Sequence, residues 1–114
     1  MALEQLAIDQ AESAVVARLG GEVDLSNAGS VTDQLLDAMD NAAERLVLDL
    51  SETDYLDSSG VRMLFELAHR LRMRRQDLWI VVPDDSNVKR VLVLTEVERM
   101  VPMATSVEAA LGAS

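Results

Sequence analysis

The chain contains no cysteine, only two prolines, and aromatic residues at just 3%. The absence of cysteine excludes disulfides, thiolate metal ligands and a cysteine nucleophile. It also argues against a small secreted domain held together by disulfides. Because aromatic side chains are scarce, the core has to be built from Leu, Val, Ile, Met and Ala, and the hydrophobic fraction of 49% supplies enough of them.

Long hydrophobic runs are also missing. No apolar stretch approaches the ~20 residues that cross a membrane as a helix. The first ten residues carry Glu4 and Asp9 and no basic lead-in, so no secretory signal is expected. These features predict a cytoplasmic protein. A chain of 114 residues suits one compact domain over residues 1–114, with its core at about 4–111.

Positive charge is scarce in the first half of the chain. Residues 1–60 hold two arginines against thirteen acids, whereas residues 61–114 hold eight basic residues against seven acids. A net charge of −10 argues against direct nucleic-acid binding, which needs cations to meet the phosphates. The acidic half predicts either a basic protein partner or simply a soluble surface.

Strand and helix patterns alternate along the chain after an initial hairpin. The hairpin pairs a strand carrying Leu3, Leu6 and Ile8 with one over 14–19, and Gly20-Gly21 breaks or bulges the second strand. The order β-β-α-β-α-β-α-β-α predicts one α/β domain. We expect a small, mixed, mostly parallel sheet of four or five strands, with the N-terminal hairpin and about four helices.

Two segments matter for the details of this fold. Asp24 or Ser26 is expected to cap a first helix that ends near Glu44. A buried strand over 46–50 is expected to lead through a loop over 51–57 into a second helix from about Ser59 to Arg75.

The sequence gives little support to metal binding or catalysis. It has one histidine, no cysteine and only scattered acids, so neither a metal site nor a bound cofactor is expected. Ser58 or Ser59 superficially resembles a hydrolase nucleophile. The one candidate base, His69, lies ten residues further along the same helix, about 15 Å from Ser59 at 1.5 Å per residue. A catalytic pair needs a separation of about 3 Å, so we predict that the chain is not an enzyme.

The most informative segment is Asp57-Ser58-Ser59-Gly60, at the junction of a strand pattern and a helix pattern. A helix N-terminus has unpaired N–H groups and the positive end of the helix dipole, both of which favour an anion. Helix capping alone accounts for one of these residues. It accounts neither for two consecutive serines nor for Gly60, which is costly in a first turn unless something approaches the backbone closely.

These residues resemble a known family. The segment from Leu48 to Leu64, LDLSETDYLDSSGVRML, is similar to the signature of STAS-domain anti-sigma-factor antagonists. The element Gly21-Glu-Val-Asp24 and the segment over 88–97 are supporting matches. Glu96 stands where the family often has glycine. The resemblance spans roughly residues 4–111.

The resemblance implies a regulatory cycle. The phosphoacceptor would be Ser59, with Ser58 as a secondary acceptor, and the partner an anti-sigma factor with serine kinase activity. The unphosphorylated chain would bind that partner and release the sigma factor, until phosphorylation prevents binding and a serine phosphatase restores it. The implied partner-binding residues are Asp24, Asp57, Ser58, Ser59, Gly60 and Val61. The alternative is a STAS adaptor subunit of a membrane transport complex. The sequence leaves the oligomeric state open.

Overall fold

The computed structural model describes residues 5–113, so Leu3 and the first residue of the expected core, Glu4, lie outside the described part. Within it the chain forms six strands, four α-helices and a short 3₁₀ helix, Val97–Arg99. Their bounds are β1 Gln5–Ala11, β2 Ala14–Val23, α1 Ala28–Ala38, β3 Arg45–Asp49, β4 Thr53–Leu56, α2 Ser58–Met73, β5 Asp77–Val81, α3 Asn87–Leu94, β6 Met103–Ala104 and α4 Val107–Gly112.

The strands form one mixed sheet in the order β1-β2-β3-β5-β6. β1 and β2 are an antiparallel hairpin, and the remaining pairs are parallel. The predicted α/β fold with its N-terminal hairpin is therefore confirmed. The sheet holds one strand more than expected, because β4 lies in the segment that we predicted to be a loop.

β4 exists because β2 bends at its glycines. Gly21 has a positive φ of 82°, and the pairing register shifts between Gly21 and Glu22, which confirms the predicted bulge. Residues 14–18 of β2 pair with β3, and residues 21–23, on both sides of the register shift, pair with β4. The buried Thr53 hydroxyl, which donates a hydrogen bond to the Leu19 carbonyl, ties the start of β4 to β2. The bend thus directs β4 towards the start of α2.

The core lies on the face of the sheet that α1, α2 and α3 cover. Leu46, Leu48 and Ile80 point into it from the central strands. Residues alternate across a strand, so Val47 and Val81 point to the opposite face, where α4 covers them with Ala110. None of the helices described is both long and apolar enough to cross a membrane.

α1 differs from its prediction at both ends. It starts after Asn27 and ends at Ala38, six residues before the expected end near Glu44. The Asp40 carboxylate accepts hydrogen bonds from the N–H groups of Ala42 and Ala43, at 2.9 and 3.0 Å. Such a side-chain turn competes with continuation of the helix.

Glu96 adopts the left-handed conformation after α3, with φ of 64°. This is a conformation that glycine adopts at little cost and other residues rarely adopt. Glycine would therefore suit this position better than glutamate does.

Candidate functional site

Asp57 is the N-cap of α2. Its Oδ1 atom accepts hydrogen bonds from the backbone N–H groups of Ser59 at 2.8 Å and Gly60 at 3.0 Å. The Asp57 carbonyl in turn accepts the first intrahelical bond, from Val61 N–H at 3.0 Å. Two of the N–H groups that would attract an anion at this helix end are therefore already bound to a carboxylate of the chain itself.

Gly60 allows the start of α2 to lie directly against β2 and β4. A Cβ atom at this position would lie 3.1 Å from the Val23 carbonyl oxygen and 3.1 Å from Leu56 Cδ2. The same Val23 oxygen accepts a hydrogen bond from Asp57 N–H at 3.2 Å. The close approach expected at Gly60 is therefore made by the protein's own backbone, and it fixes the helix start on the sheet.

The two serines differ in their surroundings. Ser58 is exposed, whereas Ser59 is half-buried and lines a shallow groove of about 300 Å³ between α1 and α2. The other residues of this groove are Leu25, Ala28, Gly29, Thr32, Arg62, Met63 and Glu66. A group added to Ser59 would therefore lie at the groove, and a group added to Ser58 would lie on the open surface.

Asp24 follows the last residue of β2, and Asp57 follows the last residue of β4. The two strands are paired in parallel up to Val23 and Leu56, so the two acids leave the sheet side by side. Asp24 accepts bonds from the Ser26 hydroxyl at 2.5 Å and the Ser26 N–H at 2.9 Å. These two hydrogen bonds hold the pKa of the Asp24 carboxyl below its usual value, and the bond from the Ser26 hydroxyl has the larger effect. Asp24 is thus a stable negative charge, although Asn27 and not Asp24 precedes α1.

The structure brings most of the sequence-predicted site residues to one edge of the sheet. Asp24, Asp57 and both serines meet where β2 and β4 end and α2 begins. Gly60 is buried beneath them, and Val61 is half-buried against the core. Gly60 therefore contributes to the site through the position of the backbone.

Sequence reasoning missed the residues that complete the groove beside Ser59. Leu25 is 82% exposed and lies between two polar turn residues. Arg62 and Glu66 lie one and two turns along α2 from Ser59, on its groove side. The three-residue spacing of Ser59 and Arg62 indicates from the sequence that both side chains lie on one side of α2. The packing of α1 against α2 could not be inferred from the sequence.

His69 lies in α2 with Ser59, ten residues further along the same helix. At 1.5 Å per residue the two are about 15 Å apart along the axis. The structure therefore supports the argument against a Ser–His pair. Among residues 5–113 no three His, Cys, Asp or Glu side chains are grouped in the way that a metal ion requires.

The Asp57 cap leads to a stability prediction. Asp57→Ala should lower the free energy of unfolding by about 1 kcal/mol, because Ser59 N–H and Gly60 N–H lose their acceptor. Asp57→Asn keeps an acceptor oxygen and should cost much less. Asp54→Ala, which removes an exposed acid of β4, is the matched control. Urea unfolding measures all three, and equal losses for Asp57→Ala and Asp54→Ala would contradict the capping role.

The fold described above is that of a known domain family. The model of the STAS domain family matches residues 5–110. The chain belongs to this family, as its sequence resemblance predicted.

Relatives with known names or structures extend this comparison. The chain is 30% identical over 109 residues to the "Putative anti-sigma factor antagonist BtrV" of Bordetella bronchiseptica, covering 96% of this chain and 93% of that protein. It superimposes on the crystal structure of an anti-sigma factor antagonist from Mycobacterium paratuberculosis with a TM-score of 0.84, at 20% identity, covering 96% and 92% of the two chains.

A third relative has been solved in two states. The chain resembles the anti-sigma factor antagonist SpoIIAA in its unphosphorylated form, with a TM-score of 0.75, 19% identity and coverage of 94% and 93%. It also resembles the phosphorylated form of the Bacillus protein, with a TM-score of 0.66, 19% identity and coverage of 94% and 96%. At these identities the structural matches establish the fold.

Proposed function

We propose that this chain is an anti-sigma-factor antagonist, and that Ser59 is the residue through which it is switched. In its unmodified form it binds an anti-sigma factor with serine kinase activity and thereby releases the sigma factor. Phosphorylation of Ser59 ends this binding, and a serine phosphatase restores it. The naming of the relative from Bordetella bronchiseptica as an antagonist supports the proposal. The chain itself acts as a binding protein in the cytoplasm and not as an enzyme.

The observation that carries the proposal is the position of Ser59. Its side chain is half-buried at the groove between α1 and α2, in the first turn of a helix whose start is fixed on the sheet. A kinase can reach a hydroxyl in this position, and a docked partner would cover it. Ser58 is the secondary acceptor because it is adjacent but faces open solvent.

The charges around Ser59 explain why a phosphate would end binding. Asp24 and Asp57 leave the sheet side by side, and the exposed Asp54 lies on β4. A phosphate adds about −1.5 to −2 charges at neutral pH to this acidic region. A partner surface that is complementary to the unmodified chain would hold no cations in position to pair with two further negative charges. The proposed contact surface therefore consists of Asp24, Asp57, Ser58, Ser59 and Val61. Gly60 contributes by allowing the backbone at the start of α2 to lie close to the sheet.

Phosphorylation itself is the test. The chain is incubated with ATP and its candidate anti-sigma kinase, and intact mass and peptide fragmentation are measured. We expect one phosphate on Ser59, its loss in Ser59→Ala, and its retention in Ser58→Ala. If no candidate kinase modifies Ser59, the proposed switch is contradicted. The alternative function, that of an adaptor subunit of a membrane transport complex, is then favoured.

A further inference from the structure

Arg62 and Ser59 lie on the same groove, three residues apart in α2. Side chains at i and i+3 of a helix are neighbours, with Cβ atoms about 5–6 Å apart. The guanidinium of an arginine one turn after a serine can therefore reach a group attached to the serine oxygen. No other basic residue of α2 is so placed, because Arg70 is eleven residues from Ser59, about 16 Å along the axis.

A phosphate on Ser59 would need such a partner. The N–H groups of Ser59 and Gly60 are occupied by the Asp57 carboxylate. Asp57 also carries a negative charge next to the modified residue, and Asp24 adds a second one. The helix end is therefore a poorer anion site than its dipole alone suggests, and a phosphate gains more from a cation across the groove.

Arg62 is available for this role. It is exposed, and among residues 5–113 the ion pairs are made by other cations, namely Arg18, Arg45, Lys89 and Arg99. Glu66, one turn further along the groove, is the nearest competitor on α2 by helical spacing, and it offers a single negative charge. A phosphate offers about −1.5 to −2 charges and three acceptor oxygens, which suit the bidentate geometry of a guanidinium.

We propose that Arg62 binds the phosphate of phosphorylated Ser59 within the chain itself. The inference rests on the proposed modification of Ser59 and adds how the modified form is arranged. Phosphorylation then changes two features of the groove at once: it adds an anion, and it withdraws a free arginine from any docked partner. The phosphate is held over the groove between α1 and α2.

The experiment uses the full chain with phosphoserine encoded at position 59, so it does not depend on a kinase or a partner. The phosphorus-31 chemical shift is followed against pH in the Arg62 chain, in Arg62→Gln, and in Arg70→Gln as the matched control on the same helix. A nearby guanidinium favours the dianion and lowers the second phosphate pKa. We expect the midpoint to rise by at least about 0.3 pH units in Arg62→Gln and not in Arg70→Gln. Arg62→Lys should keep part of the shift, because it keeps the charge but not the fork geometry.

Equal midpoints for Arg62 and Arg62→Gln would overturn the inference. That result would leave the proposed function standing, because the function is judged separately by whether phosphorylation of Ser59 occurs and weakens binding to an anti-sigma factor. Circular dichroism of the unphosphorylated variants verifies that exchange of these exposed arginines leaves the fold intact.

Discussion

An anti-sigma factor that binds the unmodified chain is expected to bind the Ser59-phosphorylated chain roughly 30- to several-thousand-fold more weakly. An unpaired charge forced into an interface costs about 2–5 kcal/mol, and each 1.4 kcal/mol is about tenfold in affinity. Arg62 of the same chain carries a single positive charge and balances only part of the phosphate's charge of about −1.5 to −2. The remaining negative charge would meet the partner unpaired, beside Asp24 and Asp57.

Isothermal titration calorimetry with the purified anti-sigma factor measures this loss. Ser59→Ala should bind as the unmodified chain does, and Ser59→Asp should be weakened in the same direction as the phosphorylated chain, though less. Ser13→Asp is the matched charge control. Ser13 is exposed and lines a surface pocket with Arg72 and Arg75, at the other end of α2. Equal affinities of the phosphorylated and Ser59→Ala chains would contradict the switch.

Gly60→Ala is expected to lower the free energy of unfolding by about 1–3 kcal/mol, although alanine is the better helix former. The added methyl group would lie 3.1 Å from both the Val23 carbonyl oxygen and Leu56 Cδ2. The Leu56 side chain can turn aside, but the Val23 oxygen belongs to the backbone of β2 and accepts the Asp57 N–H. To accommodate the methyl group, α2 would have to move away from the sheet at the candidate site.

Gly29→Ala is the matched control, because Gly29 also lies in the first turn of a helix. Nothing lies within 4 Å of a Cβ atom at this position. The same substitution should therefore stabilise the protein by about 0.5–1 kcal/mol. Thermal and urea unfolding of both variants should give effects of opposite sign. A loss of stability in Gly29→Ala, or none in Gly60→Ala, would contradict the contact that we assign to Gly60.

Much of the fold could be predicted from the sequence because its signals are local. The apolar run over 46–50 and the helical spacing of Leu64, Ala68 and Leu71 identify β3 and α2 without knowledge of their neighbours. β4 was missed because its pattern is short and its pairing depends on a distant bulge, between Gly21 and Glu22. The end of α1 was missed because Asp40 forms a local turn that competes with the helix.

The site was predictable to a different degree at each residue. The roles of Asp57 and Gly60 could be predicted from the requirements of a helix N-terminus. In the structure Asp57 accepts a hydrogen bond from Ser59 N–H, and Gly60 lies against Val23 and Leu56. The choice of Ser59 over Ser58 rested on family resemblance, and the groove now adds a physical difference between them. Leu25 could not be assigned to the site, because only the packing of α1 on α2 places it beside Ser59.

The locked start of α2 has a consequence for the speed of regulation. Asp57 holds two N–H groups, and Gly60 lies directly against β2, so the helix start has little freedom to rearrange. In the proposed cycle no slow structural relaxation then stands between modification and response. The time course would be set by the kinase and phosphatase turnover and by how fast complexes form and dissociate. The phosphorylated fraction of such a regulator would follow the current ratio of kinase to phosphatase activity and would not depend on its previous state.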